Sequence, residues 1–320
     1  MENDSKMIIT RTPMRITLGG GGTDLPEYYT KTGGLWANVT IDKYVYVAVK
    51  HRFESEMRLA YSILEFVTGT KDIKHPIIRE VLKEFAIREH FELNTFADLP
   101  GRTGLGSSGA FTVGLIHAIK SMQFEQHDKT KLAEIAYHIE RNKLQRTIGK
   151  QDQYSAAYGG PRIYSVSTEG KVETSSLPIQ SLQQNLMLIY TGTARSAETI
   201  LSTIKNDSES LDKIREIGKQ SIRALLDEKV NEYGTLMDQH WEVKRNMLDI
   251  MSNTYIDGFY EKAKSVGMLG GKIIGAGGGG FMLLVAPTHV HKNIAQLTRL
   301  FGFESIPFKF VYEGSEVISW

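Results

Sequence analysis

Apolar residues in the first half of the chain follow two different periods. Residues 7–18 and 37–49 are rich in β-branched and aromatic side chains and predict strands, the first of which runs into four consecutive glycines. Apolar positions recur at helical spacing over 76–91 and predict a helix there. The pattern also predicts helices from Ser107 or Ser108 to 122 and from 129 to 146, followed by a short strand at 162–166.

A polar stretch at 167–184, rich in Ser, Thr and Gln, separates this half from a second mixed region. It predicts a domain boundary, which divides the chain into 1–175 and 176–320. Because strands and helices do not alternate strictly, a doubly wound parallel sheet is disfavoured and two α+β domains are expected. Beyond the boundary the pattern predicts strands at 185–190, 281–286 and 308–312, two or three helices within 198–253, and single helices at 257–266 and 290–301.

Composition narrows the class of protein without identifying it. Among 320 residues, 38 are Lys or Arg and 37 are Asp or Glu, which leaves a formal net charge of +1. A nearly neutral chain has no overall attraction for nucleic acid or an anionic membrane, so we expect neither as a partner. No apolar run approaches the roughly 20 residues that span a bilayer, and the first residues lack the apolar segment of a signal peptide, so a cytoplasmic protein is expected. The absence of cysteine excludes disulfides, thiolate metal sites and a cysteine nucleophile.

Glycine is concentrated in three clusters, at 19–22, 101–109 and 270–280, and each adjoins apolar residues rather than the polar sequence of a linker. Small residues before a helix let unpaired backbone N–H groups converge on an anion, so the middle cluster predicts a polyphosphate site at a helix N-terminus. The alternative is a capped turn without a ligand. A dinucleotide fingerprint also fits the glycine spacing, but no βαβ unit surrounds it, and no Walker-type sequence is present. The middle cluster is Pro100-Gly101-Arg102-Thr103-Gly104-Leu105-Gly106-Ser107-Ser108-Gly109.

Three segments together resemble the GHMP kinases, a superfamily that includes galactokinases, homoserine kinases and mevalonate kinases. They are 11–24, 100–110 and 272–281, which occur in the family's order and span nearly the whole chain. The resemblance implies an ATP-dependent kinase whose N-terminal domain is like ribosomal protein S5 domain 2 and whose C-terminal domain is ferredoxin-like. It assigns ATP to residues 100–109 and implies Mg²⁺ as a second cofactor.

Two further segments, 19–26 and 149–160, resemble one branch of that superfamily, the sugar-7-phosphate 1-kinases such as the D-glycero-D-manno-heptose 7-phosphate kinases. Galactokinases carry His where this chain has Gly22, which implies a different sugar. The implied reaction is phosphorylation of the anomeric C1 hydroxyl of a sugar, with heptose 7-phosphate as the expected substrate. An L-fucose-type or galactose-type hexose 1-kinase, a mevalonate-type alcohol kinase and a non-catalytic nucleotide- and sugar-binding sensor stay open as alternatives.

The resemblance also assigns roles to three residues at the reacting centre. Asp152 is implied as the base that accepts the proton of the attacking hydroxyl, and Ser108 and Glu140 as the Mg²⁺ ligands. These roles suit phosphoryl transfer, which needs positioning and neutralisation of charge, and they suit Mg²⁺, which prefers hard oxygen ligands. For Glu140 the alternative is an exposed helix carboxylate that pairs with Lys143 or lies near Arg146.

The remaining candidates are expected to contact the sugar or its phosphate. Asp24 can accept hydrogen bonds from vicinal hydroxyls, although it is equally suited to cap the helix that follows. Arg11 and Arg15 share one strand, so both are expected on one face, with Arg15 acting at the catalytic centre, although a solvated strand face fits the same spacing equally well. The third glycine cluster is expected between a helix and a strand. A small-molecule sugar or sugar phosphate is the expected partner, with a homodimer as a possible assembly. The predicted substrate contacts are Arg11, Gly21, Gly22, Thr23, Asp24, Lys272, Gly277 and Gly278.

Overall fold

Two long paired strands organise the first half of the chain in the computed structural model, which describes residues 6–319 except 89, 126–127, 180, 193–199, 201–202 and 204–206. β1 (Ile8–Gly19) lies antiparallel to β2 (Gly34–His51), and both contain most of the predicted segments. β2 is long enough to pair with β6 (Arg162–Val166) through its first residues and with β5 (Phe91–Ala97) through its last. The β1–β2 pair is therefore the frame to which the other strands of this half attach.

The sheet continues on both sides of this pair. β3 (Met57–Ala60) lies parallel to β5, and β4 (Leu64–Val67) pairs antiparallel with β3. β7 (Val172–Ser176) pairs with β6, while β12 (Glu316–Ser319), from the end of the chain, pairs with β1. The resulting order is β12-β1-β2-β5-β3-β4, with β6 and β7 attached at the start of β2.

A buried helix, α3 (Ser107–Met122), packs on β1 and β2 and confirms the helix predicted after the glycine cluster. Most of its residues are buried, which explains why it is apolar on nearly every side. Gly114 permits the close packing, because a Cβ there would lie 2.6 Å from the hydroxyl of Thr12 on β1. The other helices of this half are α1 (Pro26–Thr32), α2 (Pro76–Glu84), α4 (Lys129–Tyr137) and α5 (Gln151–Tyr158).

Two helices end earlier than their apolar spacing predicts. α2 stops at Glu84 instead of residue 91, because Ala86 adopts a left-handed backbone with φ of 54° and the chain then enters β5. α4 stops at Tyr137 instead of residue 146 and widens into a π-helical turn over His138–Lys143. π-Helical turns inside helices occur frequently at functional sites.

The second half of the chain builds a four-stranded antiparallel sheet from β8 (Leu186–Tyr190), β9 (Gly270–Ile273), β10 (Phe281–Val285) and β11 (Glu304–Ile306). Their order is β11-β8-β10-β9. Its helices agree with the predicted ranges, although residue 198, where the first range begins, lies outside the described residues. They are α6 (Ser208–Leu226), α7 (Val230–Arg245), α8 (Thr254–Ser265) and α9 (His291–Leu300).

The last residues of the chain return to the first sheet. The strand predicted at 308–312 is wrong: Phe310 forms only an isolated bridge with Ile41, and the final strand is β12. The division into 1–175 and 176–320 stays a proposal, since the second sheet is built from residues after it whereas β12 joins the first. In the described part of the chain, no helix combines the length and apolar character needed to cross a bilayer.

Candidate active site

The three glycine clusters meet at one cavity of about 720 Å³. Its walls come from both halves of the chain: β1 and the first turns of α3 and α5 on one side, and α6, α7 and the β9–β10 connection on the other. A cavity of this size that gathers polar groups from distant segments is the usual form of a small-molecule site. The lining includes Arg15, Ser108, Glu140, Asp152 and Lys272, all predicted from the sequence to act on substrate or cofactor.

The middle glycine cluster, residues 100–109, forms the turn that starts α3, and we refer to it as the phosphate loop. Gly106 is the N-cap, with a left-handed backbone (φ 75°), so the N–H groups of the next residues have no acceptor within the helix. Pro100, Thr103 and Leu105 do not line the cavity; they brace the loop, and the carbonyl of Leu105 accepts the Arg15 N–H at 2.9 Å. The arrangement fits a polyphosphate. The cavity-lining members of the cluster are Gly101, Arg102, Gly104, Gly106, Ser107, Ser108 and Gly109.

Glu140 is buried at the cavity wall, with 1% of its surface exposed. Ser108 Oγ donates to its Oε2 at 2.5 Å, and Thr112 Oγ1 and Gln153 Nε2 donate to its Oε1 at 3.0 Å each. Arg146 Nη1 also donates to Oε2, at 3.0 Å. The exposed helix carboxylate considered above is therefore wrong, because the π-helical turn directs this side chain inward, towards α3.

The Ser108 hydroxyl and the Glu140 carboxylate are hard oxygen donors next to the phosphate loop, and this donor set fits Mg²⁺. No group of three or more His, Cys, Asp or Glu side chains within the described residues is arranged to hold a metal. A single carboxylate and a hydroxyl suit a cation that keeps several waters and shares phosphate oxygens, rather than one enclosed by protein ligands alone.

Asp152 lies in the first turn of α5, and its side chain remains 30% exposed. Its Oδ1 accepts two hydrogen bonds from Arg15, from Nε at 2.9 Å and Nη2 at 2.7 Å, while Arg15 Nη1 donates to the carbonyl of Gly104. Gly109 and Gly106 allow this close approach: a Cβ on Gly109 would lie 2.7 Å from the Cβ of Asp152. The carboxylate is thus fixed beside the start of α3.

Asp24 is buried beneath the glycine run rather than capping α1. The N-cap of α1 is Leu25, and no side chain caps that helix. Asp24 Oδ1 accepts the Gly22 N–H at 3.1 Å and Oδ2 accepts the Gln151 N–H at 2.9 Å. Burial raises the pKa of Asp24. The hydrogen bond from Gln151 opposes this shift, and the negative charge of Asp152 reinforces it. Asp24 therefore ties the first glycine cluster to the start of α5.

The other predicted residues of the first cluster divide into two groups. Gly21 and Gly22 line the cavity beside Asp24. Thr23 does not, because its hydroxyl donates to the carbonyls of Gly20 and Leu35 at 2.8 Å each. The structure also does not bring Arg11 to the cavity: its guanidinium pairs with Glu316 of β12 and lies over the ring of Tyr44.

The third glycine cluster connects two strands, β9 and β10, so the expected helix-to-strand position is wrong. A Cβ on Gly275 would lie 2.5 Å from the Cα of Gly104, which places this turn directly against the phosphate loop. Gly277 and Gly278 instead face Met251, whose carbonyl accepts the Gly278 N–H at 2.9 Å, and they do not line the cavity.

A buried basic cluster, consisting of Lys272 on β9 and His240 and Lys244 on α7, lines the same cavity. Lys244 Nζ donates to the carbonyls of Ile273 (3.3 Å) and Gly275. Burial, together with the charge of Arg15, lowers the pKa of Lys244 to about 7. Burial and the charges of Lys244 and Arg15 also lower the pKa of Lys272. Neither lysine forms an ion pair with a carboxylate of the described residues, so this end of the cavity favours an anion.

On the other side of the phosphate loop the cavity extends between apolar and aromatic side chains. His75 packs edge-on against Tyr61, with ring centroids 4.9 Å apart, and against Phe111 at 5.3 Å. Burial and the charge of Arg146 lower the pKa of His75 to about 4, so its ring is neutral near pH 7. Flat apolar walls of this kind accommodate a planar aromatic ring such as that of a nucleobase. The remaining members of this wall are Val45, Ile77, Phe96 and Leu99.

Sequence reasoning missed several side chains of the cavity. Thr112 and Arg146 both contact Glu140, and Arg146 had been considered only as a neighbour on an exposed face. His240 and Lys244 are four residues apart on one helix, a spacing that places them on the same face. That spacing is the available signal, but the balanced charge of these helices favoured core-facing amphipathic elements over a ligand site.

Comparisons with known proteins show what the chain as a whole is similar to. The family model described as the N-terminal domain of GHMP kinases matches residues 73–160, which contain the phosphate loop, Glu140 and Asp152. A D-glycero-alpha-D-manno-heptose 7-phosphate kinase of Campylobacter jejuni is 31% identical to the chain, and the alignment covers 98% of this chain and 99% of that protein. A bifunctional fucokinase/GDP-fucose pyrophosphorylase of Arabidopsis thaliana is 23% identical over 86% of this chain and 29% of that protein. The crystal structure of a D-glycero-D-manno-heptose 1-phosphate kinase from Bacteroides thetaiotaomicron shares the fold, with a TM-score of 0.81 at 24% identity and 98% of each chain covered.

Proposed function

The chain belongs to the GHMP kinases and is a sugar kinase, and from that premise we propose that it transfers the γ-phosphoryl group of ATP to the anomeric C1 hydroxyl of D-glycero-D-manno-heptose 7-phosphate. The observation that carries the proposal is the position of Asp152, which lies beside the start of α3 with a carboxylate oriented by Arg15. A base held next to a helix N-terminus that binds polyphosphate is the arrangement that phosphoryl transfer to a hydroxyl requires.

Asp152 and Arg15 have complementary roles in this proposal. Arg15 donates two hydrogen bonds to Asp152, both to Oδ1, and no described residue donates to Oδ2. Oδ2 accepts the proton of the C1 hydroxyl while the hydroxyl oxygen forms a bond to the γ-phosphorus. The bond between the γ-phosphorus and the bridging oxygen of the β-phosphate breaks, and ADP leaves with that oxygen. Arg15 keeps the carboxylate oriented through its two hydrogen bonds to Oδ1.

ATP would be held by the backbone N–H groups at the start of α3, with its base between the apolar walls around His75. Ser108 and Glu140 would hold Mg²⁺, which supplies charge neutralisation on the phosphate oxygens when it is bound. Thr112 and Gln153 fix the orientation of the Glu140 carboxylate through its second oxygen.

The basic cluster supports an acceptor that carries its own phosphate. Lys244 and Lys272 line the cavity, with no carboxylate partner among the described residues. An acceptor with only hydroxyl groups would give these two buried amines no counter-charge, whereas a phosphate would supply one and favour their protonated forms. The heptose 7-phosphate kinase from Campylobacter jejuni has the matching substrate class in its name.

A free hexose is the second candidate acceptor, because the Arabidopsis thaliana relative includes a fucokinase. The two candidates differ in one measurable requirement, the phosphate on the acceptor. The test is ADP release over a panel of heptose 7-phosphate, free heptose, L-fucose, galactose and mevalonate, with the position of the new phosphate determined by phosphorus NMR. Turnover of heptose 7-phosphate with a C1 phosphate product supports the proposal, and efficient turnover of a free hexose alone overturns it.

We also propose that the two halves correspond to the two domain types implied by the family. The second sheet uses its strands in the order fourth, first, third, second, with helices after the first and third, which supports a ferredoxin-like C-terminal domain. The first half, with α3 packed on β1 and β2, is assigned as the domain like ribosomal protein S5 domain 2.

A further inference from the structure

Arg146 occupies the point where the proposed metal ligands meet. Its Nη1 lies 3.0 Å from Glu140 Oε2 and 3.3 Å from Ser108 Oγ, the two atoms of those residues that also contact each other. Among the residues that the structure describes, Arg146 is the cation that pairs with the buried Glu140 carboxylate. It lines the cavity with 26% of its side chain exposed.

The backbone that carries Arg146 is shaped to hold it there. The π-helical turn over His138–Lys143 is followed by Gln145, whose φ of 55° lies in the left-handed region that a residue with a side chain seldom adopts. The chain then folds back, so that the Arg146 N–H donates to the Glu140 carbonyl at 3.2 Å. Arg141 Nη1 donates to the Arg146 carbonyl at 3.2 Å. Strained backbone of this kind persists where the surrounding contacts enforce it, frequently at functional sites.

A guanidinium and a divalent cation do not share one carboxylate oxygen easily, because like charges at contact distance repel strongly in a partly buried site. The same guanidinium has further N–H donors that match phosphate oxygens in a bidentate manner. The phosphate loop ends in the first turn of α3, which carries Ser108, so the guanidinium, 3.3 Å from Ser108 Oγ, already lies beside the helix N-terminus proposed to bind the triphosphate. Exposure of the side chain to the cavity leaves room for the guanidinium to turn from Glu140 towards a bound triphosphate.

We propose that Arg146 is a further catalytic residue, which neutralises the Ser108–Glu140 pair in the nucleotide-free protein and moves onto the phosphates of the nucleotide when a divalent cation binds those two residues. The inference rests on the proposed function, from which it takes the metal ligands. In the transfer step Arg146 stabilises charge on the oxygens of the transferred group, in the manner of a basic residue placed on a phosphoryl transition state.

The test compares Arg146→Met, Arg146→Lys and Glu140→Gln with Lys143→Met as the matched control, since Lys143 belongs to the same turn but pairs with Glu84. Mn²⁺ binding without nucleotide is followed by electron paramagnetic resonance. Arg146→Met is expected to bind Mn²⁺ at least about 5-fold more tightly, because the competing charge is gone. Glu140→Gln is expected to lose this binding, and Lys143→Met to match the wild type.

Kinetics supply the second readout. Arg146→Met is expected to lower kcat by about 10²-fold and weaken ADP binding, with the KM of the acceptor unchanged and partial rescue in Arg146→Lys. Unchanged or weaker Mn²⁺ binding, or an unchanged kcat, in a folded Arg146→Met variant overturns the inference even if the wild type phosphorylates heptose 7-phosphate. A wild type inactive on every sugar instead overturns the proposed function, while the Mn²⁺ and ADP measurements still decide the position of Arg146.

Discussion

Glu140 and Asp152 are two carboxylates of one cavity whose different surroundings suit the different roles proposed for them. Glu140 is almost wholly buried and accepts hydrogen bonds through both oxygens, so it is immobile and suited to anchor a cation. Asp152 keeps 30% of its side chain exposed and has one oxygen occupied by Arg15, which leaves the other for a substrate proton. Surroundings rather than residue type assign the roles, as is general for paired carboxylates.

Replacing Asp152 with Asn removes the proton acceptor and changes little of the side-chain volume. We expect kcat to fall by about 10³-fold, the range that a positioned base contributes, while ADP affinity stays within about twofold. Steady-state kinetics and calorimetry with ADP check the two expectations, and thermal unfolding checks that Arg15 tolerates the loss of its partner. A variant that retains more than a tenth of wild-type kcat would show that Asp152 is not the base.

Lys244 links the cavity to the pH dependence of stability. Its pKa is lowered to about 7 by burial in the folded chain, whereas an unfolded lysine titrates near 10.4. Between these values the unfolded state binds more protons, so the contribution of Lys244 to stability rises with pH across this window.

We therefore expect the difference in unfolding free energy between the wild type and Lys244→Met to grow in favour of the wild type from pH 7 to pH 10, with a slope approaching about 1.4 kcal/mol per pH unit. Denaturant titrations of both proteins at several pH values measure it, and the subtraction removes contributions from other groups. A difference that stays flat over this range would mean that Lys244 is charged in the folded protein.

At the scale of elements, the phosphate loop and the β9–β10 turn support each other through backbone contact. Gly275 has φ of 78° and leaves no room for a Cβ against Gly104, and a Cβ on Gly280 would lie 2.4 Å from the Thr103 carbonyl oxygen. The β9–β10 turn, from the other half of the chain, thus helps to fix the conformation of the loop proposed to bind the nucleotide.

Gly275→Ala adds a methyl group at this contact, and Gly302→Ala is its control. Gly302 has φ of 66° and no atom within 4 Å of its Cβ position, so both variants carry the left-handed backbone cost of about 1–2 kcal/mol but only one displaces the loop. We expect both to lower the melting temperature and only Gly275→Ala to raise the KM of ATP, by about 10-fold or more. Equal KM values in the two variants would exclude a supporting role for the turn.

Elements with a strong period were predictable from the sequence, and those defined by distant partners were not. β1, β2 and α3 carry long apolar patterns that decide their type locally. β12, by contrast, is a short half-buried segment that becomes a strand only because β1 offers a free edge. The end of α4 depends on the π-helical turn, which the contacts of Glu140 stabilise and which no local spacing reveals.

The residues of the site likewise divide into those that a local sequence motif identifies and those that depend on distant contacts. The phosphate loop, Glu140 and Asp152 were predicted through the resemblance to a kinase family, whose motifs lie in short segments of the sequence, and the structure brings all three to the cavity. Arg146 and Lys244 were missed because their function depends on which side of a helix or turn meets the cavity. Arg11 was misplaced for the same reason: its strand was predicted, but its partner Glu316 comes from the far end of the chain.

At the scale of the whole molecule, the last residues join the two halves around the helix that carries Asp152. Ser315 N–H donates to the Ala156 carbonyl of α5 at 2.8 Å, and Val311 N–H donates to the Thr40 carbonyl of β2 at 3.0 Å. Gly159 is needed at this contact, since a Cβ there would lie 2.1 Å from the backbone carbon of Glu313. The segment 309–319 therefore completes the first sheet and is hydrogen-bonded to α5.

A chain ending at residue 307 keeps β11 but loses this segment, and it exposes the edge of β1 together with the acceptors on Ala156 and Thr40. We expect it to unfold at least about 10 °C lower, because several backbone hydrogen bonds worth about 0.5–1.5 kcal/mol each are lost together with the packing of the segment, and to lose kcat as α5 is released. Glu316→Gln is the control: it removes only the half-exposed ion pair with Arg11, which is worth less than about 1 kcal/mol, so its stability and kcat should match the wild type. Thermal unfolding and kinetics on both proteins decide the point. If the truncated chain kept the stability and kcat of the wild type, the C-terminal segment would be dispensable and α5 would be held by the first half alone.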